Sequence, residues 1–143
     1  MADAGANGFV SAIVTGRLAP AESDLVRATL DGLSISELSA LQRLGFTDEE
    51  LAKTLDMTRS TLARRRECKG RLSVGEGDRL VRVARIVAQA INESFDTPQQ
   101  AMHWLREPNF ALGGYVPLDV IRTESGAALV RRVLGTLAFG GVL

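Results

Sequence analysis

The stretch from Thr58 to Arg71, TRSTLARRRECKGR, sets six cationic side chains within fourteen residues. A guanidinium is a planar fork of N–H donors. It suits two partners in a duplex: guanine O6 and N7, where a bidentate pair is worth about 1–3 kcal/mol of discrimination, and backbone phosphate. Helical spacing puts Arg59, Ser60, Ala63 and Arg64 on one outward face and turns Leu62 inward. Arg59 and Arg64 are therefore the expected base readers. Arg65, Arg66, Lys69 and Arg71 are expected to hold phosphates, and Thr58 or Ser60 to add a backbone contact. The formal net charge of the chain is zero, yet residues 57–85 carry nine basic side chains against three acidic ones, while residues 1–56 carry four against nine. This basic block in a neutral chain is the electrostatic footprint of a phosphate-binding surface.

No other set of residues supports catalysis, and the chain reads as a non-enzyme. His103 is the only histidine, and Cys68, the only cysteine, has no thiol partner and no histidine near it in sequence. One of each cannot close a zinc site. The stretch GRLSVGEGD, residues 70–78, lacks the Lys-Ser/Thr pair of a phosphate-binding loop. Neither a cofactor nor a metal is expected.

The elements that must position the arginines are helices. Apolar residues make up 45% of the 143, enough for a packed core, and no alternating run is long enough for a strand, so the expected class is all-α. Apolar spacings of three and four mark helices over 21–31 and 34–44, stopped by Gly32 and Gly45. Thr47 followed by Glu50 is a capping box, which opens a helix running to about Leu55. Thr58 caps the next, Arg59 to about Glu67, and a longer helix runs from about Glu76 to Glu93. Thr97 and Pro98 start another.

Phe46, Leu51, Leu55, Met57 and Leu62 fall where a helix-turn-helix buries side chains, and small Ala52 falls where its axes cross. The segment resembles the helix-turn-helix of the Xre/Cro repressor class, with Asp56 standing where that motif usually has glycine. Asp tolerates the left-handed conformation such a turn needs. One such helix reads few base pairs, which implies a homodimer on a palindromic site. The expected organisation is a loose Ala/Gly-rich segment over 1–20, a helix-turn-helix domain over 21–95 and a small helical domain over 96–143. A lone cysteine, no run of roughly 20 apolar residues and no basic leader fit a soluble cytoplasmic protein without a membrane partner.

Five of the seven aromatics lie from Phe95 onward, several of them in a loop broken by Pro108, Gly113, Gly114 and Pro117. Phe110, Leu112, Tyr115 and Val116 are expected to pack against Trp104 and a final helix over about 123–139, with Tyr115 the best placed to face a partner. The order AMHWLREPNFALGGYVPLDVIRTESG, Ala101 to Gly126, followed by VRRVLGTLAFG, is similar to the toxin-binding domain of Xre/MbcA/ParS antitoxins over residues 95–143. The resemblance implies an antitoxin of a bacterial type II pair. Its partner would be a RES-domain toxin, an enzyme that destroys NAD, and it would repress its own operon. It also implies steric inhibition, in which the last residues, Phe139, Gly140, Gly141, Val142 and Leu143, occlude the entrance to the toxin's active site. From the residues themselves, Tyr115 is expected to face the toxin, and Arg131 and Arg132 either offer it charge or are solvated. The alternative is a stand-alone regulator whose C-terminal domain dimerises or senses a ligand.

Overall fold

The computed structural model describes residues 8–16 and 21–140, and among these the fold is all-α. Nine α-helices run in order among the described residues: α1 (Phe9–Thr15), α2 (Glu22–Asp31), α3 (Ser39–Arg43), α4 (Asp48–Thr54), α5 (Arg59–Glu67), α6 (Val74–Gln89), α7 (Pro98–Arg106), α8 (Pro117–Val120) and α9 (Glu124–Ala138). The stretch expected as one helix over 34–44 is split: a 3₁₀ turn, Ile35–Leu38, leads into α3. An isolated bridge between Ser34 and Arg71 ties the start of that turn to the chain after α5.

Helix α6 is the centre. Leu80, Val83, Ala84, Ile86 and Val87 are fully buried, and α1, α2, α4 and α9 all pack on it. It begins two residues earlier than its apolar pattern suggests because Ser73 and Glu76 form a second capping box, and it ends in a π-helical turn, Ala90–Ser94. Polar side chains there tie down both neighbours. Asn92 Nδ2 donates to the Val14 carbonyl (3.1 Å) and Ser94 Oγ to the Leu134 carbonyl (2.9 Å).

The expectation of a loose start is corrected over Phe9–Thr15, which folds as α1 with Val10 and Val14 in the core. Its cap comes from far along the chain. The carboxylate of Glu37, itself 4% exposed, accepts the free N–H groups of Phe9 (3.2 Å) and Val10 (3.0 Å), donors that the N-cap residue Gly8 has no side chain to satisfy. Residues 1–7 and 17–20 of the expected loose segment lie outside the described residues.

Three consecutive helices end in the same hydrogen-bonded corner. In α3 the N–H groups of Gly45 and Phe46 reach the Gln42 and Leu41 carbonyls; in α4 those of Asp56 and Met57 reach Lys53 and Ala52; in α5 those of Lys69 and Gly70 reach Arg66 and Arg65. This is the Schellman arrangement, and it needs a left-handed residue at the first position beyond the cap. Gly45 supplies it freely, whereas Asp56 (φ 57°) and Lys69 (φ 50°) adopt it against the clash of their Cβ atoms. For an ordinary side chain that clash costs roughly 1–2 kcal/mol, of which a glycine's more mobile unfolded state returns about 0.4–1 kcal/mol. Lys69→Gly should thus raise stability by about 0.5–1 kcal/mol and the melting temperature by about 3 °C. Thermal denaturation followed by circular dichroism checks this.

Two glutamates give the fold its acid sensitivity. Burial pushes the carboxyl of Glu50 upward, but hydrogen bonds from Arg106 and Thr47 outweigh it and hold the group below its usual value. Glu76 behaves alike between Arg65 and Ser73. A carboxylate depressed in the folded state adds stability that is present above the unfolded value near 4.5 and lost as pH falls through the folded one. Glu37 has the opposite sign, because burial raises it and stability is lost as pH rises past 4.5 through its folded value. Below pH 4.5 the Glu37 contribution is already in place, so the urea midpoint should fall there as Glu50 and Glu76 are protonated, and the doubly substituted Glu50→Gln/Glu76→Gln variant should show a flatter profile.

Candidate functional site

The helix pair α4–α5 forms as its caps dictate. Thr47 Oγ1 accepts from Glu50 N–H (3.1 Å) while Glu50 Oε1 accepts from Thr47 N–H (2.9 Å), and Thr58 Oγ1 accepts from Thr61 N–H (3.1 Å). Phe46, Leu51, Ala52, Leu55 and Leu62 are buried between the pair and the rest of the core, with Met57 half-buried. Arg59, Ser60, Ala63 and Arg64 are exposed. Among the described residues, no hydrogen bond or ion pair engages the guanidinium of Arg59 or Arg64 or the ammonium of Lys69. These three cations remain available to an anionic partner.

Arg65 and Arg66 have partners inside the fold. Both were expected to hold phosphates, and both are engaged within the chain. Arg65 forks onto Glu76 (2.6 and 3.2 Å), the same carboxylate that caps α6, and so bolts the end of α5 to the start of α6. Arg66 Nη1 pairs with Asp48 Oδ1 at 2.7 Å, while its Nη2 is buried without a hydrogen-bond partner. Arg71 Nη1 donates to the Gly32 carbonyl at 2.7 Å. The carboxylates that capture Arg65 and Arg66 are 11 and 18 residues away in sequence, out of reach of any local pattern.

A second surface lies on the C-terminal helices. Asn109 caps a 3₁₀ turn, Phe110–Leu112, by accepting from Ala111 N–H (2.8 Å), and its backbone N–H donates to the Tyr115 carbonyl (3.0 Å). Gly113 (φ 70°) and Gly114 (φ 87°) close the loop in left-handed conformations. The turn buries Leu112 and points Phe110 outward. Phe110 was expected to pack inside but is 96% exposed, alongside Tyr115 at 64% and Phe139 at 93%. Leu112, Val116 and Trp104 keep the packing expected of them, Trp104 half-buried with its ring 5.8 Å from that of Phe95. Two nearly bare phenylalanines on a small domain are the composition of a protein-binding patch.

Arg131 pairs with Glu124 at 3.3 Å, while Arg132 is exposed. Gly140 (φ 75°) turns the chain out of α9; the expected contacts Gly141, Val142 and Leu143 lie outside the described residues. The corner before α9 explains the Thr-x-x-Gly spacing at its start. Thr123 Oγ1 accepts from Gly126 N–H (3.0 Å) and donates to the Val120 carbonyl (3.0 Å), folding α8 so tightly onto α9 that a Cβ on Gly126 would lie 2.0 Å from the Val120 oxygen.

Comparison with known families accounts for both surfaces. Residues 24–85 match the antitoxin Xre-like helix-turn-helix domain, and residues 90–140 match the antitoxin Xre/MbcA/ParS C-terminal toxin-binding domain. The chain belongs to the Xre/MbcA/ParS antitoxin family. Similar proteins include one named Prs ADP-ribosylating antitoxin from Sphingobium sp. (strain YBL2), 28% identical over 126 residues that span 82% of this chain and 79% of that protein. An Antitoxin Xre of Photorhabdus laumondii is 24% identical over 77% of this chain and 75% of its own. Another, from Pseudomonas putida, is 35% identical over 56% of this chain and 50% of its own.

In this antitoxin the helix-turn-helix match holds α5 and its outward arginines, and the toxin-binding match holds Phe110, Tyr115 and Phe139. The two matches part in the last turn of α6, so one helix serves as floor to both. The antitoxin's halves are also clamped directly. Arg106 of α7 grips Glu50 through Nε (2.8 Å) and Nη2 (3.0 Å) and the Gly45 carbonyl through Nη2 (2.7 Å), and Lys53 of α4 meets Asp119 of α8 at 2.7 Å. Among the described residues no helix is long and apolar enough to cross a membrane.

Proposed function

We propose that this antitoxin neutralises an NAD-consuming toxin by covering the entrance to its active site, and that it represses its own operon as a homodimer on a palindromic operator. The observation that carries the first part is the exposure of Phe110, Tyr115 and Phe139 on the toxin-binding domain. Large aromatic side chains left in water are the anchors from which protein interfaces draw most of their binding energy. Phe139 stands at the end of α9, directly before Gly140 turns away, so an enzyme seated on it receives the chain end Gly141-Val142-Leu143 as a plug. Exposed Arg132 and the stem of Arg131 flank that approach. The second part rests on Arg59, Arg64 and Lys69, the cations of α5 and its corner that the fold leaves unused.

The toxin in this reading is a RES-domain enzyme that destroys NAD, and both partners place the antitoxin in the cytoplasm. A second reading is favoured by the Sphingobium relative, whose name ties it to ADP-ribosylation, a reaction that also consumes NAD. Co-expression with a toxin of each kind separates them, since only the true partner should co-purify and lose toxicity. Truncation after Phe139 should then restore toxicity while leaving duplex binding intact. Full neutralisation by the truncated chain would rule out the plug. A chain that binds its promoter but captures neither toxin would instead be a stand-alone regulator with a dimerising or ligand-sensing C-terminal domain.

A further inference from the structure

Beside the N-terminus of α5 lies an open crevice lined by Glu49, Ala52 and Lys53 of α4, Asp56 and Met57 of the turn, Thr58, Arg59 and Arg122. Seven of these eight residues belong to the helix pair. The eighth, Arg122, comes from the loop between α8 and α9, inside the toxin-binding match. Its stem is fixed at two points: Nε donates to the Asp119 carbonyl (3.1 Å), and its own carbonyl accepts from Arg82 Nη1 (3.3 Å). No contact among the described residues engages its two terminal nitrogens, and the side chain is exposed. The neighbouring cation Lys53 is already held by Asp119. Among the described residues, Arg59 and Arg122 are the crevice cations without a carboxylate partner, while Glu49 and Asp56 keep the rest of the wall unattractive to an anion.

A helix-turn-helix that reads the major groove with the first residues of its second helix brings the duplex backbone past the turn and the first helix. A guanidinium that lines the same crevice as Arg59 is therefore placed to meet a passing phosphate. We infer that Arg122 of the toxin-binding domain contacts the DNA backbone, so that the duplex-binding surface is built from both domains. This rests on the reading of α5 as the DNA-reading helix.

The test is a salt titration of binding by fluorescence anisotropy, using full-length chain and a labelled duplex of the DNA immediately upstream of its gene. Each phosphate contact contributes about 0.9 to the slope of log K against log salt, so its loss should weaken binding about five-fold at about 0.15 M salt. Arg122→Ala should lower the slope by about 0.9 per protomer and cost that factor, while Arg122→Lys should keep most of the slope. Arg132→Ala, a control on the same domain, should match the wild type. Melting temperatures within 2 °C of the wild type, roughly half a kcal/mol for a chain this size, would show that the variants remain folded. Should Arg122→Ala bind as the wild type does while Arg59→Ala is weakened, the inference is overturned and the α5 reading stands. Should Arg59→Ala also bind as the wild type does, the α5 reading fails and takes the inference with it.

Discussion

Replacing Gly126 by alanine should unfold the α8–α9 corner and release the toxin. The added Cβ would meet the Val120 carbonyl oxygen at 2.0 Å, the Val120 carbonyl carbon at 2.7 Å and Thr123 Oγ1 at 2.9 Å. The first two are backbone atoms. They cannot rotate aside, so relief requires α8 to move off α9 and the Thr123 cap to break. Overpacking costs about 1–3 kcal/mol and a lost N-cap about 1 kcal/mol, and a backbone clash falls at the upper end. A loss of about 3–4 kcal/mol against a total of about 5–15 kcal/mol should lower the melting temperature by about 10 °C. Buried Leu118, Ile121 and Ala127 would lose their packing, and the surface carrying Phe110 and Tyr115 would lose its support. Gly135→Ala in the same helix is the control, because its Cβ meets nothing within 4 Å. There alanine should gain about 0.4–1 kcal/mol. A Gly126→Ala chain that melts with the wild type and still neutralises would refute this account of the corner.

Loss of duplex binding is the expected result for Arg59→Ala combined with Arg64→Ala. Each bidentate arginine–guanine pair is worth about 1–3 kcal/mol, so removing both should weaken operator binding on the order of a thousand-fold. Stability should hardly change, since neither guanidinium has an intramolecular partner among the described residues. Arg65→Ala should invert that pattern. It abandons Glu76, a carboxylate that caps α6 and lies at a partly buried joint, and should lower the melting temperature more than the affinity. Anisotropy and thermal melts on the same variants separate the two roles. Equal affinity in the Arg59→Ala/Arg64→Ala variant would remove α5 from the interface.

Local signals were legible in the sequence wherever the physics is local. Thr47 with Glu50, Thr58, and Thr97 with Pro98 place three helix starts because a cap needs only near neighbours in the chain. Ser73 with Glu76 carries the same signal, and Gly75 and Gly77 masked it by breaking the helical composition. Helix α1 was hidden for a different reason. Most of its residues are β-branched and poor at helix formation alone, and it stands because Glu37 and α6 receive it. The carboxylate partners of Arg65 and Arg66 lay beyond the same limit, since they arrive only with the tertiary fold. Phe110 could not be placed because a three-residue turn has no period to separate its inner from its outer side chain.

Glu50 accepts a hydrogen bond from the first residue of its own capping box and two more from Arg106, across a seam between two domains. One carboxylate thus closes a helix and a joint together. The halves share this fastener, the Lys53–Asp119 pair and the floor of α6, so unfolding of either half takes support from the other. For a chain with a helix-turn-helix at one end and a toxin-binding domain at the other, the consequence is a shared lifetime: loss of fold in one half shortens that of both.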